Sequence, residues 1–166
     1  MGWDDGNETG GIAPLPLYQT FVLPEWIDYN GHMSEPYYVL VFGHATDAFY
    51  EHLGFDEAYR RRTRTSIYTL EAHINYLSEA HEGERLNIET QILGCDAKRV
   101  KLFHTMLRDD DGALLATTEL MLMHVDKAIL RSAPFPAEAA ARIAEIAAIH
   151  SQLPVPDNAG RRIDLP

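Results

Sequence analysis

The chain of 166 residues carries 25 acidic against 14 basic side chains, a net charge of −11 with histidine neutral, which argues against nucleic acid as its main partner. Hydrophobic residues at 46% and charged residues at 23% fit an ordinary globular protein with one domain large enough to bury a core. A single cysteine, Cys95, gives neither an internal disulfide nor a metal-ligand pair, and no apolar run approaches the roughly 20 residues of a membrane span. The expected location is the cytoplasm, with no membrane contact.

In chain order, residues 1–14 predict a mobile leader, rich in Gly, Asp, Asn and Glu from Met1 to Gly11. A first strand follows over Leu17–Trp26, closed by Pro24. The stretch Asp28-Tyr29-Asn30-Gly31-His32-Met33-Ser34 then packs an acid, an amide and an imidazole into a tight turn. Ser34 is a good N-cap, Pro36 suits the first helical turn, and Gly54 suits the position after the helix end, so Glu35–Leu53 reads as one long helix. Tyr38, Phe42, Ala45, Phe49 and Leu53 form one apolar stripe. Tyr37, Leu40, Val41, Ala48 and Tyr50 widen it until little polar face remains, which predicts burial on more than one side. Gly43 inside such a helix predicts a close backbone neighbour.

Four strands follow. Thr65–Leu77 alternates, with Ile67, Thr69, Glu71, His73 and Asn75 expected on one face and Tyr68, Leu70, Ala72, Ile74 and Tyr76 on the other. Arg85–Ile92, Lys98–Arg108 and Ala113–Val125 alternate likewise, the last two joined by the turn signal Asp109-Asp110-Asp111-Gly112. Ala137–Ile149 reads as a short amphipathic helix. The domain is expected to span 15–150, with 151–166 a tail over the surface. A helix followed by a run of strands predicts an α+β fold, an antiparallel sheet wrapped around a long central helix.

Three segments then carry a family resemblance: Asp28-Tyr29-Asn30-Gly31-His32-Met33, the helix start Tyr37-Tyr38, and the strand Leu70-Glu71-Ala72-His73-Ile74. Over roughly Leu17–Ile149 the chain resembles the hotdog-fold acyl-CoA thioesterases of the 4-hydroxybenzoyl-CoA type. It is most similar to the branch associated with betaine and carnitine breakdown, the betainyl-CoA thioesterases. The resemblance implies that Asp28 is the catalytic carboxylate, that Gly31 permits the turn, and that N–H groups at the helix start polarise the thioester carbonyl. It further implies a homodimer or dimer of dimers with sites at the interface, an acyl-CoA substrate, and no cofactor or metal. One departure is Ser34, where many relatives carry asparagine.

The chemistry agrees independently. Thioester hydrolysis needs an activated water or a nucleophile, together with donors where negative charge develops on oxygen. A helix N-terminus offers free N–H groups and about half a positive charge. Asp28 alone would pass for a turn residue bonding its own backbone; with Asn30, Gly31 and His32 beside it, the catalytic reading moves ahead. His32 can orient Asp28, bind water or cover the helix start. Glu71 and His73 form either a polar site wall or a solvent-facing strand. Trp26, Tyr29, Tyr37, Tyr38 and Tyr68 are candidate aromatic contacts for a cationic acyl group, or core packing. Arg60, Arg61, Arg62 and Arg64 form the one dense basic cluster, a candidate for coenzyme A phosphates or a solvated helix tail. A hydratase or dehydratase of the same fold and a non-catalytic acyl-CoA binding module are the competing readings.

Overall fold

A computed structural model of the chain describes residues 12–165, so the expected leader falls largely outside the described residues. Strand β1 (Leu15–Phe21) ends before Pro24, and Pro24–Trp26 forms one 3-10 turn where the first strand was expected to continue. Helix α1 (Glu35–His52) starts after Ser34 with Pro36 in its first turn. It stops at Leu53 because Gly54 takes a left-handed φ of 87°, a conformation glycine adopts without Cβ cost. The basic cluster lies at the end of a short helix, α2 (Glu57–Thr63), capped by the Asp56 carboxylate accepting from Tyr59 N–H at 2.7 Å.

The strands are β2 (Thr65–Tyr76), β3 (Arg85–Cys95), β4 (Arg99–Arg108), β5 (Leu114–Asp126) and a two-residue β6 (Arg131–Ser132). They form one antiparallel sheet in the order β1-β3-β4-β5-β2, with β6 on the end of β5. The sheet curls around α1, the expected α+β hotdog architecture. Strand β3 runs through the break expected at Gly94 and ends at Cys95, because a register shift leaves Leu93 out of the ladder and lets Gly94 pair with Lys101. Helix α3 (Ala137–His150) packs on β3 through Ala139, Ile143 and Ile146. The following segment is held down on the sheet rather than left to wander: Gln91 Nε2 donates to Pro154 O, and Gly160 N–H to the Glu119 carboxylate. No helix among the described residues is long and apolar enough to cross a membrane.

The core divides into two apolar clusters. Trp26, Met33, Val41, Phe42, Ile88 and Met106 gather around the first half of α1, and Phe49, Phe55, Ile92, Leu102, Leu122 and Ile143 around its second half. Between them lies a polar belt. Thr46 Oγ1 donates to Phe42 O at 2.9 Å, so it accepts from His104 Nε2, 3.0 Å away. His104 Nδ1 is then left to accept from Thr90 Oγ1 at 2.9 Å. This chain fixes one neutral tautomer of a fully buried imidazole.

Two expectations for α1 change. Gly43 meets nothing within 4 Å of a built Cβ, so no close neighbour within the chain accounts for it. Nor is the helix covered all round: Val39 and Leu40 are exposed, and with Gly43 they leave an apolar stripe bare beside β2.

Burial lowers the His104 pKa from 6.5 to about 3. Below pH 6.5 the unfolded chain takes up a proton that the folded chain refuses until about pH 3, so stability falls as pH drops through that window. The contribution reaches about 1.4 kcal/mol per pH unit. Denaturant titrations between about pH 4 and pH 6 should show that slope. His104→Gln should flatten it; an unchanged slope would assign the acid sensitivity to other groups.

Candidate active site

The turn before α1 is built by its own backbone. Asp28 N–H donates to His32 O at 3.1 Å, Gly31 N–H to Asp28 O at 3.0 Å, and Ile27 and Met33 form an isolated bridge. Gly31 sits at φ 82°, which explains why glycine stands there. The turn is pinned to its surroundings by Met33 N–H donating to Ala80 O and Ser34 N–H donating to Trp26 O.

Asp28 is half-buried at this turn. Its Oδ1 accepts from Asn30 N–H at 2.8 Å, the backbone-bonding role expected of a plain turn residue. Oδ2 has no hydrogen-bond partner among the described residues, so one carboxylate oxygen remains open for chemistry. Ser34 occupies the N-cap position of α1 without a side-chain cap bond, contrary to its expected capping role. Pro36 brings no N–H, and Tyr37 N–H already donates to Ser34 O at 3.0 Å. Glu35 N–H, at the positive end of the helix, is therefore the first-turn donor with no capping side chain. An oxygen gaining negative charge beside this turn would meet that donor, with the Asp28 carboxylate close by in sequence.

His32 lies 3.6 Å from the Glu79 carboxylate, in a small cleft of about 340 Å³ shared with Glu35, Tyr38, Tyr76 and Ser78. Asn30 is exposed at the turn, and its contribution is the backbone N–H that holds Asp28.

The remaining candidates are distributed differently from the sequence expectation. Tyr29 is 96% exposed at the turn tip. Trp26 is buried and stacks on Tyr37 at 5.4 Å. Tyr38 is also buried; its ring meets Tyr76 edge-on at 5.4 Å and its hydroxyl accepts from Ala80 N–H at 3.1 Å. These contacts pack the turn against the sheet, and they do not gather four rings around one cavity.

Simple alternation fails in β2. A bulge between Thr69 and Glu71 leaves Leu70 unpaired against β5. Ile67 and Thr69 stay on the α1 side, but Glu71 and His73 fall on the opposite face, around Lys101, Glu119 and Arg161. Ala72 and Ile74 replace them beside α1. Within one chain, therefore, Glu71 and His73 are not brought to the Asp28 turn. The basic cluster is also remote, since it follows the far end of α1, about 27 Å of helix from the turn. There Arg61 pairs with Glu57 and Arg62 lies 5.4 Å over the Tyr59 ring.

A feature that the sequence reading missed is a cavity of about 900 Å³ between the bare side of α1 and β2. Phe42, Gly43, Thr46, Asp47 and Tyr50 line it from the helix, and Ile67, Thr69, Ala72, Ile74 and Thr118 from the sheet. Burial holds the Tyr50 hydroxyl well above the usual phenol range; a hydrogen bond from Thr69 opposes this and the neighbouring Asp47 charge adds to it. Pro36 at the head of α1 also lines the cavity, which therefore reaches back toward the Asp28 turn. The exposed glycine at 43 was the available signal.

A family model described as the thioesterase-like superfamily matches residues 22–143. A betainyl-CoA thioesterase from Pseudomonas aeruginosa is 47% identical over 152 residues, covering 92% of this chain and 96% of that protein. An L-carnitine dehydrogenase/betainyl-CoA thioesterase from Agrobacterium fabrum is 43% identical over 90% of this chain, which spans only 30% of that longer protein. Among solved structures, a Staphylococcus aureus protein in complex with CoA superposes with a TM-score of 0.87 at 30% identity, covering 94% of this chain and 98% of that one.

Gly31→Ala forces a Cβ into a left-handed conformation although the space around it is open. The expected cost is about 1–2 kcal/mol of stability, read as a Tm lowered by a few degrees, with activity falling as the Asp28 carboxylate shifts. An unchanged Tm would show that the turn tolerates another backbone conformation.

Proposed function

The chain belongs to the thioesterase-like superfamily, and from that premise we propose that it is an acyl-CoA thioesterase that releases betaine and coenzyme A from betainyl-CoA. The reading is supported most by one observation: a half-buried Asp28 with a free carboxylate oxygen at the turn that opens onto the uncapped start of α1. The extensive identity to a betainyl-CoA thioesterase supports the acyl group. Asp28 drives attack on the thioester carbonyl, either as a base that takes a proton from the attacking water or as a nucleophile that forms a mixed anhydride, which a water then hydrolyses to free betaine. The Glu35 N–H stabilises the oxygen that gains charge, and the C–S bond breaks with coenzyme A leaving as thiolate, which takes up a proton on release. His32, close to Glu79, covers the entry side of the turn.

Asp28→Asn keeps the turn-forming amide geometry and removes the charge. Turnover of betainyl-CoA should fall by several orders of magnitude with the fold intact. A variant keeping more than about a tenth of wild-type kcat/KM, under ~1.4 kcal/mol of transition-state stabilisation, would rule out Asp28 as the catalytic group.

The working unit is a homodimer or a dimer of such dimers. Among the described residues strand β2 pairs only with β5, and its other edge carries exposed Tyr68, Leu70 and Tyr76 next to the bare Val39 and Leu40 of α1. An identical edge satisfies the unpaired backbone groups and covers this apolar surface in one step. Gly43, without a neighbour inside the chain, leaves room there for a second helix to approach. Sedimentation at micromolar concentration should give a species of at least twice 18.7 kDa; a lone monomer would defeat the assignment.

A further inference from the structure

Positive charge is scarce in this chain, with 14 basic against 25 acidic residues, yet it is not spread evenly. Arg60, Arg61, Arg62 and Arg64 close α2 and lead into β2. Lys127 N–H donates to Arg64 O at 2.9 Å, which ties the end of β5 to the same corner. Lys127 and Arg131 share a cleft of about 200 Å³ with Tyr68 of β2. The nearby acids have other roles: Asp56 caps α2, Glu57 pairs with Arg61, and Asp126 Oδ1 accepts from Ala128 N–H. Arg60, Arg62, Arg64, Lys127 and Arg131 have no ion-pair partner among the described residues. A corner of unpaired cations on a protein of net charge −11 suits a polyanion that the rest of the surface repels.

Within one chain this corner lies at the wrong end, the length of α1, about 27 Å, from the Asp28 turn. Two-fold symmetry reverses that. Strand β2 runs back along α1: Thr69 meets Tyr50 near the helix end, and the Tyr76 hydroxyl donates to the Glu35 carboxylate at the helix head, 3.3 Å away. A second copy added antiparallel along the free edge of β2 over its full length puts the two-fold axis at the middle of the strand, between Leu70 and Glu71. The partner's Thr65 then faces Tyr76, one strand spacing of about 4.8 Å away. The partner's Arg64 comes just before it and stands beside the head of α1, where the Glu35 N–H and the Asp28 turn lie. The same axis crosses α1 near its middle, beside Gly43 and the bare Leu40, so the two helices run head to tail.

Resting on the thioesterase and dimer readings above, we propose that the basic corner of each chain binds the coenzyme A phosphates for the site of its partner. Arg64 and Lys127, joined through the backbone and both exposed, form its centre. In coenzyme A the pantetheine arm separates the thioester sulfur from the diphosphate and the 3′-phosphate. A phosphate site must therefore stand beside the Asp28 turn and not in it, which is where the interface brings the corner. Guanidinium forks there meet phosphate oxygens two at a time. The Asp28 turn and the basic corner of one chain thus serve different substrate molecules.

The test compares betainyl-CoA with betainyl-pantetheine, which keeps the arm and the thioester and lacks every phosphate. Arg64→Gln combined with Lys127→Gln should lower the ratio of their kcat/KM values at least about tenfold, mainly by raising KM for betainyl-CoA. Arg64→Lys alone, which keeps the charge, should retain most of the ratio. An unchanged ratio in the double variant, or equal losses on both thioesters, would overturn the proposal. A heterodimer then shows which chain supplies the corner. One tagged chain carries Arg64→Gln and Lys127→Gln with Asp28 intact; the other, with a different tag, carries Asp28→Asn and an intact corner. Purified through both tags, it should hydrolyse betainyl-CoA with the wild-type KM and about half the wild-type kcat, since its one live Asp28 faces an unaltered corner. The raised KM of the doubly substituted homodimer would instead show that each corner serves its own chain, and overturn the proposal. Failure of the wild type to hydrolyse either thioester would remove the thioesterase reading itself.

Discussion

The hydrogen-bond chain Thr90–His104–Thr46–Phe42 O fixes the spacing of everything around it. It runs from β3 through β4 to α1, so a single imidazole ties two strands to the middle of the central helix. Buried polar groups cost several kcal/mol when unpaired, and register errors on any of the three elements would break the chain. The two apolar clusters on either side can tolerate repacking; the belt tolerates only one arrangement. This sets the rotation of α1 about its axis. That rotation presents Gly43 and Asp47 to the open side of the sheet and puts the helix start against the Asp28 turn.

The belt also ties stability to the site. Thr46 belongs both to the belt and to the cavity wall, and Thr118 lies beside His104 across the β4–β5 ladder. The cavity floor is therefore an extension of the polar layer that orders the core. Any group entering the cavity would rest on residues whose positions are already fixed, and such preorganisation lowers the entropy cost of binding.

Much of the fold was legible because its periods are clean. The limits of α1 followed from Ser34, Pro36 and Gly54, and the Asp109–Gly112 hairpin from its turn residues. The Asp28 turn was legible for the same reason, since Gly31 and its neighbours act locally. The faces of β2 were not, because a bulge at Leu70 depends on pairing with β5 and leaves no mark on local alternation. The bare stripe of α1 was misread as burial because exposed apolar residues such as Val39 and Leu40 look like core in a sequence. The rings near the turn were equally opaque: Trp26 and Tyr38 pack tightly while Tyr29 points to water, and sequence proximity does not distinguish these fates.

The Leu70 bulge bears on how this strand can change over generations. Substitution at an exposed, unpaired position is cheap, and Leu70 is 52% exposed. Deleting the same residue is no harsher within the chain. Thr69 and Glu71 already face consecutive residues of β5, Leu122 and Met121, so the strand would close into regular pairing with every face beyond it kept. Position 70 is thus permissive in number as well as in kind, a spare residue through which this strand can change length without turning Ala72 and Ile74 away from α1.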